Sequence, residues 1–279
     1  MSLVLPKLEV LPVKDLLRHE WHDDQRSIPL AKSLKASGLL KNPPIVSPLK
    51  DGTGRYMVLD GANRTTALGQ IDLLHTVCQV VEPGDPGLEL KTWNHVLWGW
   101  EPKKLLAALR GIPETELLEI DSGVRRPQRS WPEKTLVWLQ TPDRQAYILR
   151  SGPEELNERA KKLAKVAEVY LREAKLDRTT AQRVSELNGT YPDLTAVVVY
   201  PPFSVEEVLA LTSAGALLPP GVTRFTISPR ALRLNYPLDR LAEDKPLAEK
   251  NADLDEWIQQ KTGKKEIRFY SEATVLFDE

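Results

Sequence analysis

Short strand-like runs and helical stretches follow one another along these 279 residues without strict alternation. A regular strand–helix repeat would build a doubly wound parallel sheet. The irregular mixture instead predicts an α+β or irregular α/β chain. No internal repeat and no low-complexity segment interrupts it.

Residues 1–85 read as one block. The run Leu8-Glu9-Val10-Leu11-Pro12-Val13 is an opening strand that stops at a proline. A short helix is predicted over 29–38, with Leu30, Ala31 and Leu34 at helical spacing and Gly38 as its stop. Two strands, 45–49 and 56–59, flank the turn Asp51-Gly52-Thr53-Gly54. Asp60-Gly61-Ala62-Asn63 breaks the second strand, a helix runs from Arg64 to Gln70, and 76–81 is a further strand. Pro83-Gly84-Asp85-Pro86-Gly87 resembles a linker, which divides the chain into 1–85 and 86–279.

The second part opens with a helix over 101–110, stopped by Gly111 and Pro113, and continues with strands at 117–120, 135–139 and 146–149. The longest helix starts near 153, with Leu156, Ala160, Leu163, Ala167, Tyr170 and Leu171 along one face, and another helix is predicted over 178–187. A buried strand at 196–200 precedes Ser204-Val205-Glu206-Glu207, a capping box that opens a helix to Ala214. A strand at 221–225, helices at 238–241 and 254–260, and closing strands at 267–270 and 274–277 complete the reading.

Charge narrows the function classes. Thirty-eight Lys and Arg balance 39 Asp and Glu, a formal net charge of −1, whereas a protein built to grip a polyanion carries a basic excess or patch. The tightest basic clusters, Arg125, Arg126 and Arg129, and Lys261, Lys264 and Lys265, read as solvated turns. DNA is therefore a partner that charge does not favour. Cys78, the single cysteine, excludes an intrachain disulfide and a Cys-rich zinc site. No run reaches the roughly 20 apolar residues of a membrane span, and Met1-Ser2-Leu3-Val4-Leu5-Pro6 lacks a signal-peptide core. The expectation is a cytoplasmic protein with no membrane partner.

Four segments could carry chemistry. In the first, a hydrophobic strand delivers Asp60 and Gly61, then a helix whose first turn holds Asn63, Arg64, Thr65 and Thr66. A helix start offers free N–H groups and a positive dipole end, which suit a phosphate. Gly61 permits close approach and Arg64 neutralises an anion. The same pattern is also an ordinary strand-to-helix turn capped by Asp60. In the second, residues 18–26 gather His19, Glu20, His22 and Asp23. Without a second His/Cys group at ligand spacing, no side-chain metal cluster is expected. A solvated loop is the ordinary reading, and a partly buried glutamate there could act as a general base. The third, Trp93-Asn94-His95 with Trp98 and Trp100, is either a core corner or an aromatic wall beside a small ligand. The fourth is Thr223-Arg224 at a late strand start, near Arg230 and Arg233, where the arginines are either a carboxylate or phosphate grip or part of a surface strand.

Taken together, the acidic loop, "SGLL", "PPIV", "YMVLDG" and "NRTTAL" resemble the ParB/sulfiredoxin-like superfamily. The resemblance implies a mixed-sheet N-terminal domain of that type followed by a mixed α/β domain that completes the substrate pocket. The box Asp60-Gly61-Ala62-Asn63-Arg64 holds no cysteine, which removes sulfiredoxin chemistry. Within the superfamily the chain is most similar to the free L-serine kinases, enzymes of cysteine biosynthesis and siderophore-precursor clusters. That likeness is carried by His19-Glu20, Asp60-Gly61 with Arg64, "TWNH" at 92–95 and "GVTRF" at 221–225, although Ala62-Asn63 stands where many relatives have two histidines. It implies transfer of a phosphoryl group from ATP or ADP to the seryl hydroxyl, with Mg²⁺ bridging phosphate oxygens. Glu20 would be the base and Asp60 its partner or a metal contact. Gly61, Ala62, Asn63, Arg64 and Thr65 would hold the nucleotide, and Trp93, Asn94, His95, Thr223 and Arg224 the amino acid. The alternative is a ParB-like, DNA-associated regulator or nucleotide switch without kinase activity. It would need a basic helix pair within 153–187, near Arg172, Lys175, Arg178 and Arg183.

Overall fold

The computed structural model describes residues 5–21, 27–121, 134–152, 155–187 and 189–270. The clustered Arg125, Arg126 and Arg129, the loop residues His22 and Asp23, and the strand expected at 274–277 lie outside them.

The first half builds a five-stranded mixed sheet from β1 (Leu8–Pro12), β2 (Leu16–Leu17), β4 (Ile45–Pro48), β5 (Tyr56–Asp60) and β6 (His75–Val80), in the order β1-β6-β4-β5-β2. The pairs β1/β6 and β4/β5 are antiparallel, and β4/β6 and β2/β5 parallel. Helices α1 (Ser27–Ser37) and α2 (Ala62–Gln70) pack on it, with the short strand β3 (Leu39–Leu40) between α1 and β4. Gly38 takes φ +64 directly after α1, as its reading as a helix stop requires.

The second sheet is six-stranded and antiparallel throughout. It comprises β8 (Asn94–Trp98), β9 (Thr115–Ile120), β10 (Thr135–Gln140), β11 (Ala146–Ser151), β12 (Lys175–Thr179) and β13 (Leu194–Val199), in the order β12-β8-β13-β10-β11-β9. Helices α3 (Pro102–Arg110), α4 (Leu156–Leu171) and α5 (Val205–Ser213) cover it, and both hydrogen bonds of the expected Ser204–Glu207 capping box are made. Two antiparallel ribbons join the halves, β7 (Leu88–Thr92) with β14 (Thr223–Ile227), and β3 with β15 (Tyr236–Pro237). The chain finishes with α6 (Leu238–Ala242) and α7 (Leu247–Gly263).

Three expectations are corrected. The helix expected over 178–187 is replaced by β12 and a 3-10 turn at Val184–Leu187, because the edge of β8 offers a full ladder to a segment whose charged side chains can face water. No strand forms at 267–270, where Ile267, Phe269 and Tyr270 are exposed. Asp60 is not the cap of α2. Gly61 is, and the helix begins at Ala62 rather than Arg64.

The cores do not divide at residue 85. One cluster joins Ile45, Met57 and Leu59 of the first sheet to Leu97, Leu139, Val198 and Tyr170 of the second half. Another returns Tyr236, Leu238, Leu241 and Leu254 to Ala31, Leu34, Leu68 and Val77. Cys78 is buried in β6, where burial pushes its thiol far up. No helix among the described residues is long and apolar enough to cross a membrane.

Candidate active site

Strand β5 ends at the cleft between the halves, and the chain turns there into α2. Gly61 makes the turn at φ +92, and no side chain caps the helix, so its first N–H groups face outward. A Cβ at Gly61 would lie 3.0 Å from the Arg64 guanidinium and 3.2 Å from the Pro44 backbone, so close approach as well as φ requires glycine. Gly61, Ala62, Asn63 and Arg64 line a cavity of about 2030 Å³, and Asn63 Oδ1 is buried there with no hydrogen-bond partner among the described residues. Thr65 is not on the wall. It is buried, and its hydroxyl donates back to the Gly61 carbonyl.

Glu20 reaches the same cavity from the loop after β2. A backbone bridge docks that loop on Leu218, with Trp21 N–H donating to Leu218 O at 3.0 Å and Leu218 N–H to His19 O at 2.8 Å. The Glu20 carboxylate accepts from the N–H groups of Gly221 (2.7 Å), Val222 (3.0 Å) and Thr223 (2.5 Å), and from the Thr223 hydroxyl (2.5 Å). Three successive N–H groups at a turn form an anion nest. Gly221 adopts φ +72 here, and a Cβ would collide with the Arg178 side chain.

His19, buried at 7% exposure, sits behind this carboxylate. Its Nδ1 lies 2.8 Å from Val58 O and its Nε2 2.7 Å from Thr223 Oγ1, and Phe225 meets the ring edge-on. A carbonyl only accepts, so Nδ1–H donates to Val58. Hydrogen-bonding distances thus run from Val58 O through His19 and Thr223 to Glu20. Burial holds the imidazole below its ordinary range, while the Glu20 charge raises it.

Of the expected amino-acid residues, Trp93, Thr223 and Arg224 line the cleft. The Arg224 guanidinium stacks 4.4 Å from the Trp93 ring centroid. Asn94 and His95 are not brought there. Both lie on β8, flanked by β12 and β13. Asn94 is buried and donates to Ala181 O at 2.9 Å. His95 is fully buried, with Nε2 3.2 Å from Gly221 O and Nδ1 2.8 Å from the Tyr170 hydroxyl, which itself meets the Tyr200 hydroxyl. Desolvation pushes this imidazole down to about 4, so it is neutral and donates through Nε2 to Gly221 O, in the peptide whose Val222 N–H holds Glu20.

The cleft is cationic. Arg18, Lys41, Arg64, Arg172, Arg178, Arg224 and Arg230 line it, against the acids Glu20, Asp60 and Asp177. Asp60 is half exposed and ion-paired to Arg230, which the sequence names only as a neighbour of Arg224 and gives no site role of its own. The signal for Arg230 was only its nearness in sequence to Arg224. Among the described residues no three His, Cys, Asp or Glu side chains gather as a metal cluster.

No family model matches the sequence. The "ATP-dependent L-serine kinase SbnI" of Staphylococcus aureus is 25% identical over 287 positions, covering 100% of both chains. An "ATP-dependent L-serine kinase" of Staphylothermus marinus is 29% identical over 100 residues, 34% of this chain and 39% of that one. The solved structure of C-terminally truncated SbnI superposes with a TM-score of 0.68 at 25% identity, covering 92% of this chain and 97% of the other. The chain is related to the free L-serine kinases. Its fold is also that of a free serine kinase solved with AMP, at TM-score 0.69 and 15% identity, covering 84% of this chain and 93% of that one. Among the described residues the second helix expected within 153–187 is absent, since β12 stands there.

Proposed function

We propose that this protein is a free L-serine kinase that transfers the terminal phosphoryl group of ATP to the seryl hydroxyl, giving O-phospho-L-serine and ADP. The observation that carries the reading is one carboxylate, Glu20, pinned by a nest of N–H groups on the wall of a cationic cleft shared with the Gly61 helix start. In the reaction the bond from the seryl oxygen to the γ-phosphorus forms as the bond to the departing ADP oxygen breaks, and the seryl proton passes to Glu20. Glu20 Oε1 accepts from Val222 and from both donors of Thr223, whereas Oε2 accepts from Gly221 and keeps a lone pair for the substrate.

The Gly61 turn, the first N–H groups of α2 and Arg64 bind the phosphates, and the Asn63 acceptor takes a donor from the nucleotide. Arg224, braced on Trp93, takes the serine carboxylate. Thr223 holds Glu20, and His95 supports the turn beneath it. Mg²⁺, when bound, supplies neutralisation of the phosphate oxygens. Asp60, a hard oxygen donor half exposed on the cleft wall, suits that ion. We place the reaction in the cytoplasm, where nucleoside triphosphate is held. Phosphoryl transfer depends mainly on positioning and charge stabilisation, and this set of side chains meets that need.

The test is ADP release from ATP and Mg²⁺ with L-serine, L-threonine, L-homoserine or no acceptor. Serine-dependent release is the expected result. Equal release in every tube would overturn the assignment.

A further inference from the structure

The segment from Ser228 to Tyr236 crosses from the second half of the chain to the first, and it is tied down along its length. Ser228 N–H donates to Gly87 O at 3.0 Å, Arg233 N–H to Asn42 Oδ1 at 2.9 Å, and Tyr236 pairs with Leu40. The middle is held by one buried side chain. Gln79, 3% exposed on β6, donates through Nε2 to Pro229 O at 2.9 Å and accepts at Oε1 from Ala231 N–H at 2.8 Å. A buried amide thus spends a donor and its acceptor on the two residues that flank a single arginine, Arg230.

That arginine extends into the nucleotide cleft and pairs with Asp60, the residue before the Gly61 turn. Both partners are about 40% exposed, 41% for Arg230 and 42% for Asp60. An ion pair this wet contributes little to stability, so fold stability does not account for the anchoring. The chemistry of the position does. A guanidinium presents a planar fork that matches phosphate oxygens, and its backbone is fixed beside a helix N-terminus that also favours anions.

We propose that Arg230 is a phosphate clamp, supplied in cis by this anchored strap, which exchanges Asp60 for the terminal phosphoryl group of the nucleotide and stabilises its charge during transfer. The proposal rests on the kinase reading above. Arg230 donates N–H groups to non-bridging oxygens and gains and loses no bond, while the exchange frees the Asp60 carboxylate. Gln79 is its positioning residue.

The experiment is calorimetric titration of the full chain with ATP, ADP and AMP, alongside kcat and KM, for the parent protein, Arg230→Ala, Arg230→Lys and Gln79→Ala. Melting temperatures check folding. Arg230→Ala is expected to weaken ATP at least about tenfold while AMP affinity stays constant, and to lower kcat by roughly 10²–10³-fold. Arg230→Lys restores charge without the fork and recovers ATP affinity more than kcat. Gln79→Ala moves ATP in the same direction by less, with AMP unchanged. An Arg230→Ala protein that keeps both its preference for ATP over AMP and its kcat overturns the proposal, as does a parent protein that shows no such preference. A parent that prefers ATP yet makes no phosphoserine sinks the kinase reading alone, and the ATP/AMP comparison still decides the clamp.

Discussion

Glu20 has four donors on its carboxylate, and its part as anchor of the 221–223 turn can be separated from its proposed part as base. Glu20→Gln keeps the shape and an acceptor oxygen but removes the base. Turnover is expected to fall by roughly 10²–10⁴-fold with ATP affinity retained. A parallel loss of ATP affinity in titrations would assign the residue to the fold instead. His95 makes a different prediction. Burial moves it from its ordinary 6.5 to about 4, so between those values the unfolded chain binds a proton that the folded chain refuses. Stability therefore rises with pH across that window and is lost on acidification, by on the order of 3 kcal/mol. Buried His19, also shifted down, adds in the same direction. Urea unfolding at pH 7 and pH 4.5 measures the difference, and His95→Gln should flatten it. Glu20, Asp60 and Thr223, singled out in the sequence by residue type, all line the cleft. For Asn94 and His95 the residues left a core corner and a ligand wall both open, because β8 is covered on both faces and a doubly buried strand carries no alternation to say which side meets a ligand.

At the scale of elements, the strand–turn–helix at 56–70 stood out in the sequence because its punctuation is local: a hydrophobic strand, a glycine and a helix start. Its dependence on Gly61 is testable. Gly61→Ala must hold φ +92 with a Cβ against Pro44 and Arg64. The expected cost is about 1–2 kcal/mol of stability, with weaker ATP binding, read by thermal melts and titration. Ser204→Ala is the matched control. Loss of its capping box costs about 1 kcal/mol and should leave turnover untouched, since neither Ser204 nor Glu207 lines the cleft. The segment 175–187 shows where local reading fails. Lys175-Leu176-Asp177-Arg178-Thr179 has no strong intrinsic preference, and the deciding partner, β8, lies some 80 residues earlier.

Across the whole molecule, the linker signal at 83–87 marks a real change of sheet, yet the chain crosses it repeatedly. Asn251 of α7 exchanges hydrogen bonds with both backbone groups of Val10, at 2.9 and 3.1 Å. The buried Lys250 donates to Leu241 O and lies 3.2 Å from His75 Nδ1. Such returns are invisible to composition because they depend on where two distant surfaces meet. A chain ending at 237 removes Leu238, Leu241 and Leu254 from the first core. It is expected to lose cooperative unfolding and nucleotide binding together, by circular dichroism and titration, whereas an independent N-terminal domain would keep both. The central claim, that this cleft makes phosphoserine, is tested most directly by phosphorus NMR on the full chain with Mg²⁺, ATP and L-serine. The account predicts a phosphoserine resonance that requires serine and is lost in Glu20→Ala. Nucleotide left intact with serine present, or a phosphoserine signal undiminished in that variant, would contradict it.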